Sequence, residues 1–225
     1  MLWHVMKVYE RHGFKDFTLA LGYKGEVIKD YFLNYHARQS DLTVHLKSGE
    51  VVYSNPTAED WRIALIDTGE KSMTGGRLLR LKPHVQSTGT FMLTYGDGVS
   101  DVDITALLAF HRAHGRVATV TAVRPSARFG GMHVSEGQVR DFTEKPQSGE
   151  GWINGGFFVF EPRVFDYLKD DATVLERAPL ETLAREGQLM AFEHPGYWQC
   201  MDTVRDRDAL QALWMTGCAP WIRQS

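Results

Sequence analysis

Short apolar runs that suit strands alternate with segments whose apolar residues recur at helical spacing, and this alternation constrains the fold most. Phe17-Thr18-Leu19-Ala20-Leu21 precedes Val27, Ile28, Tyr31, Phe32 and Tyr35 on one helical face. Thr90-Phe91-Met92-Leu93-Thr94-Tyr95 precedes Ile104, Leu107, Leu108 and His111, and a β-branched run over 117–123 follows. Strand-then-helix units at this spacing predict an α/β fold with a mainly parallel, doubly wound central sheet flanked by helices. Strands are also expected at 42–46 and 63–66, separated by the turn-rich Ser54-Asn55-Pro56.

A Gly-rich stretch at 67–76 leads into a helix expected at 77–81. From 130 to 160 the pattern changes to short strands with Gly-containing turns, such as Glu136-Gly137-Gln138, which predicts a smaller β-rich subregion. Helical spacing returns at 164–168, 179–185 and 204–215. With no repeat or linker in view, residues 1–225 read as a single domain. At the start, Leu2, Val5, Met6 and Tyr9 share a helical face, yet no Ser, Thr, Asp or Asn stands ahead of them as a cap.

A chain of 225 residues with 43% apolar content can bury a sizeable core. Its net charge of −3 argues against partners that are nucleic acid or an anionic membrane, which are held by an excess of Lys and Arg. The two cysteines, Cys200 and Cys218, form no C-x-x-C pair and read as reduced thiols. No apolar run approaches the roughly 18 residues of a membrane span. The start also lacks a signal-peptide layout, so a cytoplasmic location is expected.

Four places carry candidate chemistry. Asp97 ends the apolar run over 90–95 and stands between Gly96 and Gly98, where a lone carboxylate on bare backbone suits a phosphate-bound metal. The same Gly-Asp-Gly suits a tight turn. The segment from Asp67 to Arg77, with Ser72, Thr74, Gly75 and Gly76, is either a surface turn or a loop entering a helix that presents amides to a phosphate or a base. Glu144-Lys145-Pro146 and Asn154-Gly155-Gly156 offer a carboxylate and an amide for sugar hydroxyls and a point charge for a phosphate, or else the solvated end of a hairpin. Asp202, just ahead of the helix at 204, is either an N-cap or a second metal carboxylate. Nine histidines, among them His111 and His114, show no ligand spacing and read as structural or surface residues.

Taken together, Asp67-Thr68-Gly69, Met73-Thr74-Gly75-Gly76-Arg77, Thr94-Tyr95-Gly96-Asp97-Gly98, Arg128-Phe129-Gly130, Glu144-Lys145-Pro146, Ile153-Asn154-Gly155-Gly156-Phe157-Phe158 and Trp198 with Met201-Asp202-Thr203 resemble the sugar-1-phosphate nucleotidylyltransferases. The resemblance covers essentially the whole chain and points to the glucose-1-phosphate cytidylyltransferase branch. It implies a Rossmann-like nucleotidyltransferase fold and conversion of CTP and α-D-glucose 1-phosphate to CDP-glucose and pyrophosphate. It further implies Mg²⁺ on Asp97 and Asp202, and Lys145 on the sugar phosphate. Glu144, Asn154 and Gly130 would lie around the glucose, and Ser72, Thr74, Gly75, Gly76, Arg77 and Gly96 on the nucleotide side. A homo-oligomer is compatible with the family.

One element of the family's pattern is not among these residues: an opening strand, a Gly-Gly-x-Gly-Thr-Arg-Leu loop and a Lys-Pro segment. Met1-Leu2-Trp3-His4 aligns with a helix beyond that loop, which agrees with the missing cap. The expectation is that Met1 is an internal methionine of a longer reading frame. Two readings follow, an active enzyme or a remnant that keeps the sugar-phosphate half and serves as a binding or assembly partner.

Overall fold

The structure is a computed structural model that describes residues 1–54, 58–125, 131–135, 138–143 and 151–222, with 131–135 and 138–143 described by backbone alone. Along the chain come α1 (Leu2–Glu10), β1 (Asp16–Leu21), α2 (Gly25–Leu33), α3 (Tyr35–Gln39), β2 (Asp41–His45), β3 (Glu50–Ser54), β4 (Arg62–Asp67) and α4 (Thr74–Val85). There follow β5 (Phe91–Thr94), β6 (Gly98–Ser100), α5 (Ile104–His114), β7 (Ala118–Val123), β8 (Gly131–Ser135), β9 (Gln138–Thr143) and β10 (Ile153–Phe160). The last elements are α6 (Ala178–Arg185), β11 (Leu189–His194), β12 (Trp198–Cys200) and α7 (Val204–Met215). The chain divides into two compact units, one of residues 1–14, 88–167 and 180–225, the other of residues 15–87 and 168–179.

The first unit is built on a four-stranded sheet in the order β11-β7-β10-β5. β11 runs parallel to β7, and β10 is antiparallel to both β7 and β5. Three of the four strands therefore share one direction, as the strand-helix alternation predicts, and β10 alone is reversed. β10 is covered on both faces: Phe157, Phe158, Val159 and Phe160 are all fully buried, the continuous apolar pattern of a central strand. Phe91 packs against Phe160, Tyr95 meets Phe158 edge-on, and Tyr9 of α1 stacks on Phe157. β8 and β9 pair as an antiparallel hairpin, the β-rich subregion expected from the sequence.

α5 is held on this sheet by Ile104, Leu107 and His111, buried at spacings of one and two helical turns. Asp103 caps its start by accepting from the Ala106 N–H, and Gly115 with φ 62° ends it in the left-handed region. The buried polar groups beneath it form one directional chain. The Arg116 N–H can only donate, so His114 Nδ1 accepts it at 2.9 Å. His114 Nε2–H then donates to Thr119 Oγ1 (2.7 Å), whose hydroxyl donates to His111 Nδ1 (2.8 Å). His111 Nε2–H completes the chain at Glu161 Oε1 (3.2 Å), which also accepts from the Thr90 hydroxyl (2.6 Å). This scheme needs both imidazoles neutral, and burial lowers the pKa of each.

The second unit contains the parallel pair β1-β4, in register from Asp16 opposite Arg62 to Leu21 opposite Asp67. Leu78 and Leu81 of α4 are buried in this unit. β2 and β3 form a separate antiparallel hairpin, and β3 falls where the sequence gives no clear alternation. Helix α4 starts at Thr74, three residues before the expected position, so Gly75 and Gly76 are helical rather than loop. The helical spacing over 164–168 belongs to a short 3-10 segment, Pro162–Tyr167.

The histidine chain generates a prediction. Thr119→Val removes a donor and an acceptor from buried partners and should cost about 1–3 kcal/mol of stability in urea denaturation. The folded-state pKa values of His111 and His114 lie below the unfolded value, so their contribution is complete above about pH 6.5 and is lost as pH falls through the folded values. Thermal denaturation from about pH 7 to about pH 5 should show a decline that is shallower in His111→Gln. An unchanged slope would contradict the neutral chain.

Candidate active site

Asp97 and Asp202 stand at one end of a ribbon of two short strands that sequence periodicity does not reveal. β6 and β12 pair antiparallel, with Gly98 opposite Cys200 and Ser100 opposite Trp198. One step beyond that register, the Met201 N–H donates to the Asp97 carbonyl at 2.8 Å. Asp97 and Asp202 thus extend the same end of the ribbon, both exposed.

Two local observations bear on the other readings of these residues. α7 is capped by Thr203, not Asp202: Thr203 Oγ1 accepts from the Asp206 N–H (3.1 Å), and Asp206 Oδ2 accepts from the Thr203 N–H (3.0 Å). Gly96 and Asp97 do make the turn between β5 and β6, but neither Gly96 nor Gly98 has positive φ. A conformational need for glycine is absent there. At Gly96 no described atom lies within 4 Å of where a Cβ would sit, which leaves the backbone beside Asp97 open to a bulky anion.

The chain leading into β12 is fastened by side chains. The Asp101 carboxylate accepts from the Tyr197 N–H (2.7 Å) and lies 2.8 Å from His194 Nε2, and the Ser100 hydroxyl donates to the Tyr197 carbonyl (2.8 Å). Burial and the nearby Asp101 carboxylate push the Tyr197 phenol up to about 12. Burial, then the Asp202 carboxylate, push the Cys200 thiol up to about 11, so it stays protonated and donates to Asp202 Oδ2 at 3.3 Å.

Asn154 stands at the start of β10, where the pairing with β7 shifts register between Asn154 and Phe158. Its neighbour Gly156 has φ 77°, and a Cβ there would lie 2.6 Å from the Tyr95 ring. Gly130, Glu144 and Lys145 lie outside the described residues.

In the second unit, the loop from Asp67 to Met73 is tied down by Arg77. Its Nη1 donates to the carbonyls of Leu21 (3.2 Å) and Gly69 (2.9 Å) and to Thr68 Oγ1 (2.9 Å), and Nη2 donates to the Glu70 carbonyl (3.2 Å). The guanidinium shapes the loop that the resemblance would place on the nucleotide side. Gly75 and Gly76 permit the backbone of 171–173 to lie against the first turn of α4. A Cβ on Gly76 would fall 2.3 Å from the Asp171 carbonyl oxygen, and the Gly76 N–H donates to the Thr173 carbonyl (3.1 Å). Thr74 Oγ1 donates to Glu176 (2.6 Å) and accepts from the Leu175 N–H (2.9 Å), while Ser72 is buried. Arg80 clamps Asp171 with two hydrogen bonds, which hold its carboxyl below the usual carboxylate range.

Sequence reasoning gave no role to Tyr95 and Trp198, although both stand in motifs that carry the resemblance, and it missed Asp101, whose only signal was its closeness to Asp97.

Among the described residues no three His, Cys, Asp or Glu side chains form a metal cluster, and no helix is long and apolar enough to cross a membrane. Two exposed carboxylates on one ribbon end fit a hard cation of the Mg²⁺ type, which takes one or two carboxylates and completes its shell with water and phosphate oxygens. The donor set and the open backbone at Gly96 agree with that requirement.

Residues 65–204 match the family described as Nucleotidyl transferase. The chain belongs to that family. It is 52% identical over 221 residues to the glucose-1-phosphate cytidylyltransferase of Salmonella typhi, covering 98% of this chain and 86% of that relative. HddC from Yersinia pseudotuberculosis shares the fold, with a TM-score of 0.65 at 19% identity over 92% of this chain and 82% of its own. An apo UDP-glucose pyrophosphorylase does so with a TM-score of 0.62 at 14% identity, over 95% and 86%. Within this nucleotidyl transferase, the matched residues run from the end of β4 to the start of α7 and include both Asp97 and Asp202.

The two glycine environments make opposite predictions. Gly76→Ala meets fixed backbone and should lower stability by about 1–3 kcal/mol in urea unfolding. Gly96→Ala meets nothing in the described structure and should change stability by less than about 0.5 kcal/mol while reducing turnover. Equal stability of the two variants would contradict the packing role of Gly76.

Proposed function

We propose that this enzyme transfers a cytidylyl group from CTP to α-D-glucose 1-phosphate, releasing pyrophosphate and giving CDP-glucose. The substrate assignment is carried by the 52% identity to a glucose-1-phosphate cytidylyltransferase over 98% of the chain. The location of the chemistry is supported by the β6-β12 ribbon that presents Asp97 and Asp202 together.

The reaction requires no protein nucleophile. An oxygen of the sugar phosphate attacks the α-phosphorus of CTP in line and pyrophosphate departs, so the work of the protein is to orient two anions and offset their repulsion. Asp97 and Asp202 would hold Mg²⁺, which when bound supplies charge neutralisation and a template for phosphate oxygens. Asn154 offers a side-chain amide to the sugar phosphate. Lys145 would counter charge on the attacking side, with Glu144 and Gly130 beside the sugar. The resemblance assigns the nucleotide side to Gly96, Ser72, Thr74 and the start of helix α4 at Gly75 and Gly76, with Arg77 setting the shape of the loop through its hydrogen bonds.

The test is pyrophosphate release from CTP, UTP and dTTP with glucose 1-phosphate, using the full gene product and its Asp97→Asn variant. CTP should be the preferred nucleotide. Asp97→Asn should lose at least about 100-fold in kcat with an unaltered far-UV circular dichroism spectrum. Near-normal turnover in that variant would remove Asp97 from the cation site, and preference for another nucleotide would overturn the cytosine assignment.

A further inference from the structure

The backbone around Asn154 is irregular and fully tied down. Pairing of β10 with β7 runs Ile153 to Val123 and Asn154 to Ala122, then resumes at Phe158 opposite Val120, which leaves Gly155, Gly156 and Phe157 in a bulge opposite Thr121. Neither glycine can be replaced without a clash: a Cβ on Gly155 would lie 2.7 Å from Val123 Cγ1, and Gly156 is left-handed against the Tyr95 ring. Two residues from the carboxylate-bearing segments lock this bulge. Trp198 Nε1–H, on β12, donates to the Gly155 carbonyl at 2.8 Å. The Tyr95 N–H, two residues before Asp97, donates to the Gly156 carbonyl at 3.1 Å.

The hydrogen bonds also fix which way the Asn154 amide points. The Gly156 N–H can only donate, so the atom 2.8 Å away is Oδ1. Nδ2 is then directed at the Tyr95 hydroxyl, 3.3 Å away, and spends one of its two protons there. The second proton remains on an exposed residue. Among the described residues Asn154 is thereby left with one further N–H, complementary to an oxygen acceptor.

Building on the sugar-phosphate reading above, we propose that Tyr95 and Trp198 are positioning residues. The Tyr95 hydroxyl and the Trp198 indole hold Asn154 as a one-proton donor toward an oxygen of the sugar 1-phosphate, either a hydroxyl or a phosphate oxygen. Because Tyr95 precedes the Asp97 turn and Trp198 lies on the strand leading to Asp202, the donor and the two carboxylates are set by the same pieces of backbone.

The experiment has two arms. In steady-state kinetics, Tyr95→Phe keeps the ring that packs on Phe158 and deletes only the hydroxyl, so the KM for glucose 1-phosphate should rise about 5- to 10-fold with the KM for CTP unchanged. In ¹⁵N–¹H spectra, the Asn154 side-chain pair is assigned by its loss in Asn154→Asp. The separation between its two protons should narrow in Tyr95→Phe and in Trp198→Phe. In the wild type, glucose 1-phosphate should shift one proton of the pair. An equal shift with inorganic phosphate assigns the acceptor to phosphate, and a shift only with the sugar phosphate assigns it to a hydroxyl. An unchanged pair and an unchanged sugar-phosphate KM in Tyr95→Phe would overturn the positioning role. If glucose 1-phosphate neither turns over nor shifts the wild-type pair, the substrate reading fails, while narrowing in Tyr95→Phe still reports the clamp on the amide.

Discussion

The hydrogen bond from the Met201 N–H to the Asp97 carbonyl closes the end of the β6-β12 ribbon, and the candidate chemistry depends on it. β6 and β12 are only three residues each, too short to be stable as an isolated pair. Their alignment is enforced from outside the ribbon. Asp101 and Ser100 seize the turn that leads into β12, and Trp198 reaches across to the bulge in β10. Val99 is fully buried and a Cβ added at Gly98 would lie 3.6 Å from the Trp198 indole nitrogen, so a slip of one residue would disturb packed positions along β6.

The second unit solves a different problem, the shaping of a loop that carries many unpaired backbone groups. Arg77 satisfies three carbonyls and a hydroxyl with one guanidinium, a task suited to its planar fork of donors. Glycine in a helix costs about 1 kcal/mol relative to alanine. Gly75 and Gly76 offset that cost by letting the 171–173 backbone approach the first turn and satisfy its amides. The two glycines that read as loop in the sequence are therefore helical and packed against backbone in the fold.

What the sequence discloses follows from periodicity. α1, α5, α7, β1, β4 and β7 lie where apolar spacing puts them, and the bare start of α1 at Met1 carries no side-chain cap, as expected. β11 escaped because Leu189-Met190-Ala191-Phe192 has no β-branched residue and its burial comes from pairing with β7. β6 and β12 escaped because three residues carry no period. Asp97, Asp202 and Asn154 were recognisable as candidates, but whether Asp202 or Thr203 caps α7 depends on one residue of register, decided by the Thr203 and Asp206 exchange. Arg77 was legible as important, but its hold on the loop was not, since its partners are mostly backbone carbonyls that no side-chain pattern records. His111 and His114 read as structural residues, and the buried chain through Thr119 gives that reading its physical basis.

The proposed function requires Asp97 and Asp202 to act as one cation site at the end of the ribbon. The direct measurement is Mn²⁺ binding by electron paramagnetic resonance, in the presence of CTP, for the wild type, Asp97→Asn, Asp202→Asn and the double variant. A shared site predicts that each single variant weakens binding and that the double variant loses little more than either alone. Losses that simply add, or a single variant that binds Mn²⁺ as the wild type does, would contradict it.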